Sequence, residues 1–135
     1  MRILALVIAI YAPVMLLIHV STARILKAWN EQPASRISRR FTPRRALRVE
    51  GVFWLLALAA WSLWQPLAWK VLVVLFAAIH LAIWAAGELQ AATKNAPAFT
   101  TSPAMNRAIV AFDLLEAFLL AALGVLAVFF LLHPA

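Results

Sequence analysis

Four ionisable side chains lie within otherwise apolar stretches of the sequence: His19, His80, Asp113 and Glu116. An ionisable group inside a lipid bilayer is costly, so each of these residues is a candidate functional residue. Asp113 and Glu116 are three residues apart and share one face of a helix, where both carboxylates can act on a single proton or cation. The pattern predicts a proton or cation relay formed by Asp113, Glu116 and His80.

Glu116 lies deeper in its apolar segment than Asp113. An isolated carboxylate at that depth would cost several kcal/mol, so it needs a proton, a partner or a bound cation. We therefore expect its side chain to face other helices and to come within reach of His80 or His19. Asp113 is closer to the end of the segment, where the alternatives are contact with solvent or pairing with Arg107 or Arg48.

His19 and His80 are expected at matching depth in two different helices. Two such imidazoles can ligate the iron of a haem b from both sides, or join the carboxylates around a metal ion. A dense ligand signature such as Glu-x-x-His is absent, however. The alternative is that each imidazole only hydrogen-bonds to a neighbouring helix. Haem b and a metal ion are thus hypotheses, and neither cofactor is required by the sequence.

The sequence lacks the usual signatures of catalysis. It contains no cysteine, which excludes thiol nucleophiles and thiolate metal sites. No phosphate-binding glycine loop, HExxH or GxSxG motif occurs either. We predict no catalytic residue, and we expect a protein that is not an enzyme.

The elements that must position these side chains are membrane helices. Of the 135 residues, 66% are hydrophobic and 13% charged, and the mean hydropathy is +0.93, which is far from the composition of a soluble domain. About 20 apolar residues cross the roughly 30 Å hydrocarbon core as a helix. The sequence predicts one all-α domain over residues 1–135, a polytopic membrane protein with four transmembrane helices in a compact bundle. The predicted spans are residues 3–23, 45–64, 67–88 and 104–132.

Turn and cap signals separate these spans. Gln65-Pro66 predicts a tight turn between the second and third helices. Thr42-Pro43 and Ser102-Pro103 each resemble a helix N-cap followed by a first-turn proline. These two pairs are 60 residues apart, and the two histidines are 61 apart. The repeat would make the bundle two parallel helical hairpins, and coincidence in Ala/Leu-rich helices is the alternative.

Basic residues are concentrated between the first two spans. The net charge is +7, and eight of the twelve Lys and Arg residues lie between Arg24 and Arg48, beside apolar helices, which favours anionic lipid headgroups over nucleic acid as the partner. Residues 24–44 are expected to form a solvated loop. The predicted headgroup-binding residues are Arg36, Arg39, Arg40, Arg44, Arg45 and Arg48.

The distribution of charge also predicts the topology. Ten Lys and Arg residues, including Lys94 and Arg107, fall on one side and two on the other, which places the basic loop in the cytoplasm and both termini outside it. The expected location is a bacterial cytoplasmic (inner) membrane. Tryptophans are expected at the interfaces, residues 61, 64 and 69 on the outer side and 29, 54 and 84 on the inner side.

Three functions fit these observations. The leading hypothesis is a non-enzymatic subunit or accessory component of a membrane assembly, or a homo-oligomer. Small residues spaced for close helix approach favour it, at positions 78, 82 and 86 and at 117, 121 and 124. The second is a transporter or channel for protons, cations or lipid, and the third is a haem b carrier that uses His19 and His80.

Overall fold

The computed structural model describes residues 1–92 and 101–133. Within these ranges the chain forms six α-helices and one short 3-10 helix, without strands. The helices are α1 (Arg2–Val20), α2 (Thr22–Glu31), α3 (Arg36–Arg40), α4 (Pro43–Ala59), α5 (Leu67–Ala92) and α6 (Pro103–Leu132), and the 3-10 helix is Trp61–Leu63. The all-α prediction therefore holds for the described residues. Lys94, which entered the count of cytoplasmic charges, lies outside them.

Three of the described helices, α1, α5 and α6, are long and apolar enough to cross a membrane. At about 1.5 Å per residue, even the shortest of them, α1 with 19 residues, spans about 28 Å. The fourth predicted span is not confirmed by the same criteria. Its helix, α4, has 17 residues and carries Arg44, Arg45 and Arg48 in its first turns.

The predicted helix starts are confirmed. The Thr42 side chain accepts a hydrogen bond from the Arg45 backbone N–H at 3.3 Å, and a proline follows it in the first turn of α4. Ser102 does the same for α6, accepting from the Met105 N–H at 3.1 Å. Each cap satisfies one of the backbone donors that a helix leaves free at its start.

The basic segment differs from the loop that we predicted. Residues 22–31 form α2 and residues 36–40 form α3, and α2 packs against both α3 and α6. Ser21 separates α1 from α2, with φ −96° and ψ 0°. Leu26 and Ala28 of α2 are buried while its charged residues are exposed, so the segment is an amphipathic helix that rests on the bundle.

Helices α1 and α6 form one closely packed antiparallel pair. Ala12 lies against Gly124, where an added Cβ would come within 3.2 Å of the Ala12 Cβ. Seven residues later in α1, His19 meets Glu116, which is eight residues earlier in α6. Small residues at the crossing allow the two backbones to approach, and this approach brings the ionisable residues together.

Helices α4 and α5 form the second antiparallel pair and pack as the predicted hairpin around Gln65-Pro66. A Cβ on Gly51 would lie 2.7 Å from Cδ2 of Trp84, so this position must be glycine for the indole to sit where it does. Helix α1 also contacts α4, which joins the two pairs into one bundle.

The interior of the bundle contains two tryptophans that we had placed at the membrane interfaces. Trp54 and Trp64 are fully buried, and the Trp64 indole N–H donates to the Ala57 carbonyl at 2.6 Å. Both rings therefore face the interior of the chain, and their depth in a membrane stays a prediction. The small residues at positions 78, 82 and 86 of α5 are all exposed in the chain.

Candidate functional site

Glu116 is the centre of the candidate site. Its side chain is 0% exposed, and its Oε2 atom lies 3.2 Å from His19 Nε2 and 3.1 Å from His80 Nε2. Its other oxygen, Oε1, accepts a hydrogen bond from the Trp54 indole N–H at 3.1 Å. The prediction that Glu116 faces the bundle interior within reach of the two histidines is confirmed. We call His19, Glu116 and His80 the His–Glu–His cluster.

Both histidine rings are fixed by the backbone of their own helix. Nδ1 of His19 lies 2.8 Å from the Met15 carbonyl, and Nδ1 of His80 lies 2.8 Å from the Phe76 carbonyl. A carbonyl oxygen can only accept, so each Nδ1 must carry the proton and donate it. In the neutral ring Nε2 then has a free lone pair, which in both rings faces Glu116 Oε2.

Two atoms of the cluster are left without a well-aligned hydrogen bond. His19 Nε2 and Glu116 Oε2 are buried, and neither makes such a bond with any described group, although they lie 3.2 Å apart. A carboxylate oxygen and an unprotonated imidazole nitrogen are both acceptors, so proximity alone does not satisfy either of them. Buried polar atoms in this condition point to a missing proton or cation.

Aromatic rings enclose the His80 side of the cluster. The His80 ring stacks on Trp54 with 5.5 Å between ring centroids and on Phe76 with 6.4 Å, and Phe112 lies 6.1 Å away. Phe76 and Phe112 also stack on each other at 5.5 Å. This wall keeps the local dielectric low, which strengthens electrostatic interactions within the cluster.

Asp113 lies one turn before Glu116 and is half-buried. Its carboxylate accepts a hydrogen bond from the Thr22 hydroxyl at the start of α2. Neither Arg107 nor Arg48, the partners considered from the sequence, is paired with it in the described structure. Asp113 thus adjoins the cluster without being part of it.

A cavity of about 700 Å³ leads from the basic end of the bundle to the cluster. Its lining includes His80 of the cluster, the carboxylates Asp113 and Glu50, and Trp29 and Arg44 from the basic segment. The remaining lining is mostly apolar. The cluster is therefore connected to the side of the bundle on which α2 and α3 lie.

The predicted headgroup-binding arginines are divided between internal contacts and exposed positions. Arg44 Nη2 and Arg48 Nε each lie 2.5 Å from the Glu88 carboxylate, and Arg45 donates to the Arg40 carbonyl at 2.6 Å. Arg36, Arg39 and Arg40 belong to α3, which has no buried residue. Whether these residues bind lipid stays a prediction.

The sequence did not identify two residues of the site. The sequence predicts Trp54 at the inner interface and does not single out Glu50, yet Trp54 holds Glu116 and Glu50 lines the cavity. The two are four residues apart and so share one face of α4. That spacing was the available signal, because a carboxylate and an indole N–H on one face indicate a polar stripe.

No known protein family, characterised protein or solved structure matches this chain. The geometry of the cluster is therefore what indicates a function.

Proposed function

We propose that this protein handles cations within a membrane, and that cations pass through the His–Glu–His cluster. The observation that supports this is a carboxylate with 0% exposure whose Oε2 lies within 3.2 Å of two imidazole nitrogens. Three facing acceptors in a dry interior are unfavourable unless a positive charge sits among them. The cavity that ends at His80 provides a route by which such a charge can arrive.

We further propose that α4 is the fourth transmembrane helix. Its 17 residues rise about 26 Å, and the three residues of the following 3-10 helix add about 6 Å, which together match a hydrocarbon core of about 30 Å. Arginines in its first turns would then lie at the headgroups, as snorkelling side chains do. By the positive-inside count, α2 and α3 are cytoplasmic and both termini lie outside, in an inner membrane.

The haem b hypothesis has less support than cation handling. A haem plane needs open space between its two axial ligands, whereas both Nε2 atoms converge on one carboxylate oxygen. The Trp54 and Phe76 rings also pack directly against His80.

Assembly with a second membrane helix is a compatible second proposal. The exposed small residues of α5 would let a partner subunit or a second copy approach closely.

The test of cation handling is flux in proteoliposomes. Purified protein would be reconstituted in vesicles that contain anionic lipid, and a membrane potential would be imposed while entry of protons, alkali cations and divalent transition metals is followed with trapped indicators. We expect at least one of these cations to enter, and we expect Glu116→Gln to abolish its entry, because the amide removes the charge that attracts it.

Glu31→Gln is the matched control, since Glu31 is an exposed carboxylate on α2. This variant should keep wild-type flux. Absence of flux for every cation, or equal flux in Glu116→Gln and wild type, would contradict the proposal.

A further inference from the structure

The cluster has the atoms and spacing of a metal site. Glu116 Oε2 lies 3.2 and 3.1 Å from the two Nε2 atoms, and all three atoms lie within 4.8 Å of one another. In a tetrahedral site with metal–ligand bonds of about 2.0–2.2 Å, neighbouring ligand atoms are about 3.3–3.6 Å apart. The two distances to Glu116 Oε2 differ from this spacing by about half an ångström or less, so side-chain adjustment can bring the three atoms around one ion.

Each of the three side chains also makes a hydrogen bond through the ring nitrogen or carboxylate oxygen that is not one of the three candidate ligand atoms. Metal-ligating histidines commonly donate their other ring N–H to a backbone carbonyl, as His19 does to Met15 and His80 to Phe76. Ligating carboxylates are themselves hydrogen-bonded, as Glu116 is through Oε1 by Trp54. These contacts hold the three side chains in positions where both Nε2 atoms lie within 3.2 Å of Glu116 Oε2.

A metal ion satisfies this cluster better than a single proton does. One proton on Nε2 of either ring would bond that ring to Glu116 and leave the other Nε2 facing the same oxygen as an acceptor. A divalent ion accepts a lone pair from all three atoms at once. It would also satisfy His19 Nε2 and Glu116 Oε2, the two buried atoms that lack a well-aligned hydrogen bond.

We infer that the His–Glu–His cluster binds a divalent transition-metal ion through His19 Nε2, His80 Nε2 and Glu116 Oε2. This inference rests on the proposed cation function and specifies its cation. Two imidazoles and one carboxylate suit ions such as Zn²⁺, Fe²⁺ and Co²⁺, whereas Mg²⁺ and Ca²⁺ prefer oxygen ligands and Cu(I) prefers sulfur.

The acidic residues along the cavity fit the same cation. Asp113 and Glu50 both line the cavity. Asp113 lies one turn before Glu116 on α6, and Glu50 lies one turn before Trp54 on α4. Two carboxylates in a mostly apolar passage favour a cation over an anion there, although Arg44 also lines it. The cavity therefore supplies the entry path that a buried metal site requires.

The experiment measures metal binding on the full chain in mild detergent, purified with a tag that contains no histidine. Metal-stripped protein would be loaded with Zn²⁺ for elemental analysis and with Co²⁺ for visible absorption. We expect one ion per chain and the intense d–d bands of a four-coordinate Co²⁺ centre. His19→Ala, His80→Ala and Glu116→Gln should each lose the bands.

Two further variants keep the test decisive if a ligand variant fails to fold. Trp54→Phe keeps all three ligands and removes the N–H that holds Glu116, together with part of the ring that stacks on His80, and it should weaken metal affinity about 10- to 100-fold. His133→Ala is the matched control, since His133 is an exposed histidine at the end of α6, and it should bind as wild type does.

Wild-type protein that holds no stoichiometric metal, or equal binding in wild type and Trp54→Phe, would overturn the inference. Stoichiometric binding without any flux would instead leave the metal site standing and remove the proposed transport. Proton flux through a protein that binds no metal would overturn the metal site and leave the proposed cation handling standing.

Discussion

Replacing Gly51 with alanine tests how closely α4 and α5 must approach. The new Cβ would lie 2.7 Å from Trp84 Cδ2 and closer still to Cε3, whereas ordinary carbon contacts are about 3.5–4.0 Å, so the indole must retreat by more than about 1 Å. The ring is not free to move, because its N–H donates to Glu88 Oε1 at 3.2 Å. The substitution therefore forces a rearrangement of the α4–α5 contact.

The expected cost follows from two opposing terms. Overpacking of this kind costs about 1–3 kcal/mol, and alanine gains about 1 kcal/mol over glycine in a helix. Because the indole is tied by its hydrogen bond, we expect Gly51→Ala to lower the free energy of unfolding by about 1–2 kcal/mol. Titration with sodium dodecyl sulfate in mixed micelles, followed by far-UV circular dichroism, measures this difference.

Gly87→Ala is the control for this experiment. Within the described residues its Cβ would meet only the Leu47 Cδ1 atom, at 2.8 Å, which is the end of a flexible side chain. This variant gains the same helix propensity with a smaller packing penalty, so its stability should equal or exceed that of wild type. If Gly51→Ala proves as stable as Gly87→Ala, the indole moves freely and our account of the α4–α5 contact is wrong.

Three other predictions concern topology and charge. Because the chain has no cysteine, Ala34→Cys and Gln65→Cys can be labelled cleanly in intact cells, and an impermeant maleimide should modify only position 65. Glu88→Gln should change the unfolding transition little, since its ion pairs are partly exposed to solvent and such pairs contribute little to stability. Replacing the exposed arginines with glutamine should reduce retention of anionic lipid in native mass spectrometry, because a basic residue near a membrane surface contributes about 1 kcal/mol to binding it. The residues to replace are Arg36, Arg39 and Arg40.

The sequence predicted what depends on local chemistry. The caps at Thr42 and Ser102 are confirmed because a hydroxyl followed by proline favours a helix start wherever it occurs. The position of Glu116 is confirmed because the cost of a carboxylate in lipid leaves few places for it.

What the sequence did not predict depends on tertiary packing. Helical periodicity assigns Trp54 to a face of α4, but only the packing of α4 against α5 and α6 decides that this face meets Glu116. The polar composition of residues 22–31 suggested a loop, yet a narrow apolar stripe that includes Leu26 stabilises α2 on the bundle. Burial against a neighbouring helix overrides a weak local preference.

The polarity of the interior is confined to one half of the bundle. Among the described residues, the buried polar side chains are those of the cluster and Thr22, while the buried residues beyond the Ala12–Gly124 contact are apolar. An ion would therefore reach the cluster from the basic end of the bundle, and its release on the other side requires the apolar half to open.

It would also have crossed part of the electric field, since Glu116 lies thirteen residues, or about 20 Å, into α6. Moving one elementary charge across the whole membrane at a potential of 100 mV changes its free energy by about 2.3 kcal/mol. Because this free energy is proportional to charge, occupancy of the cluster by a divalent ion should depend on the membrane potential twice as steeply as occupancy by a proton.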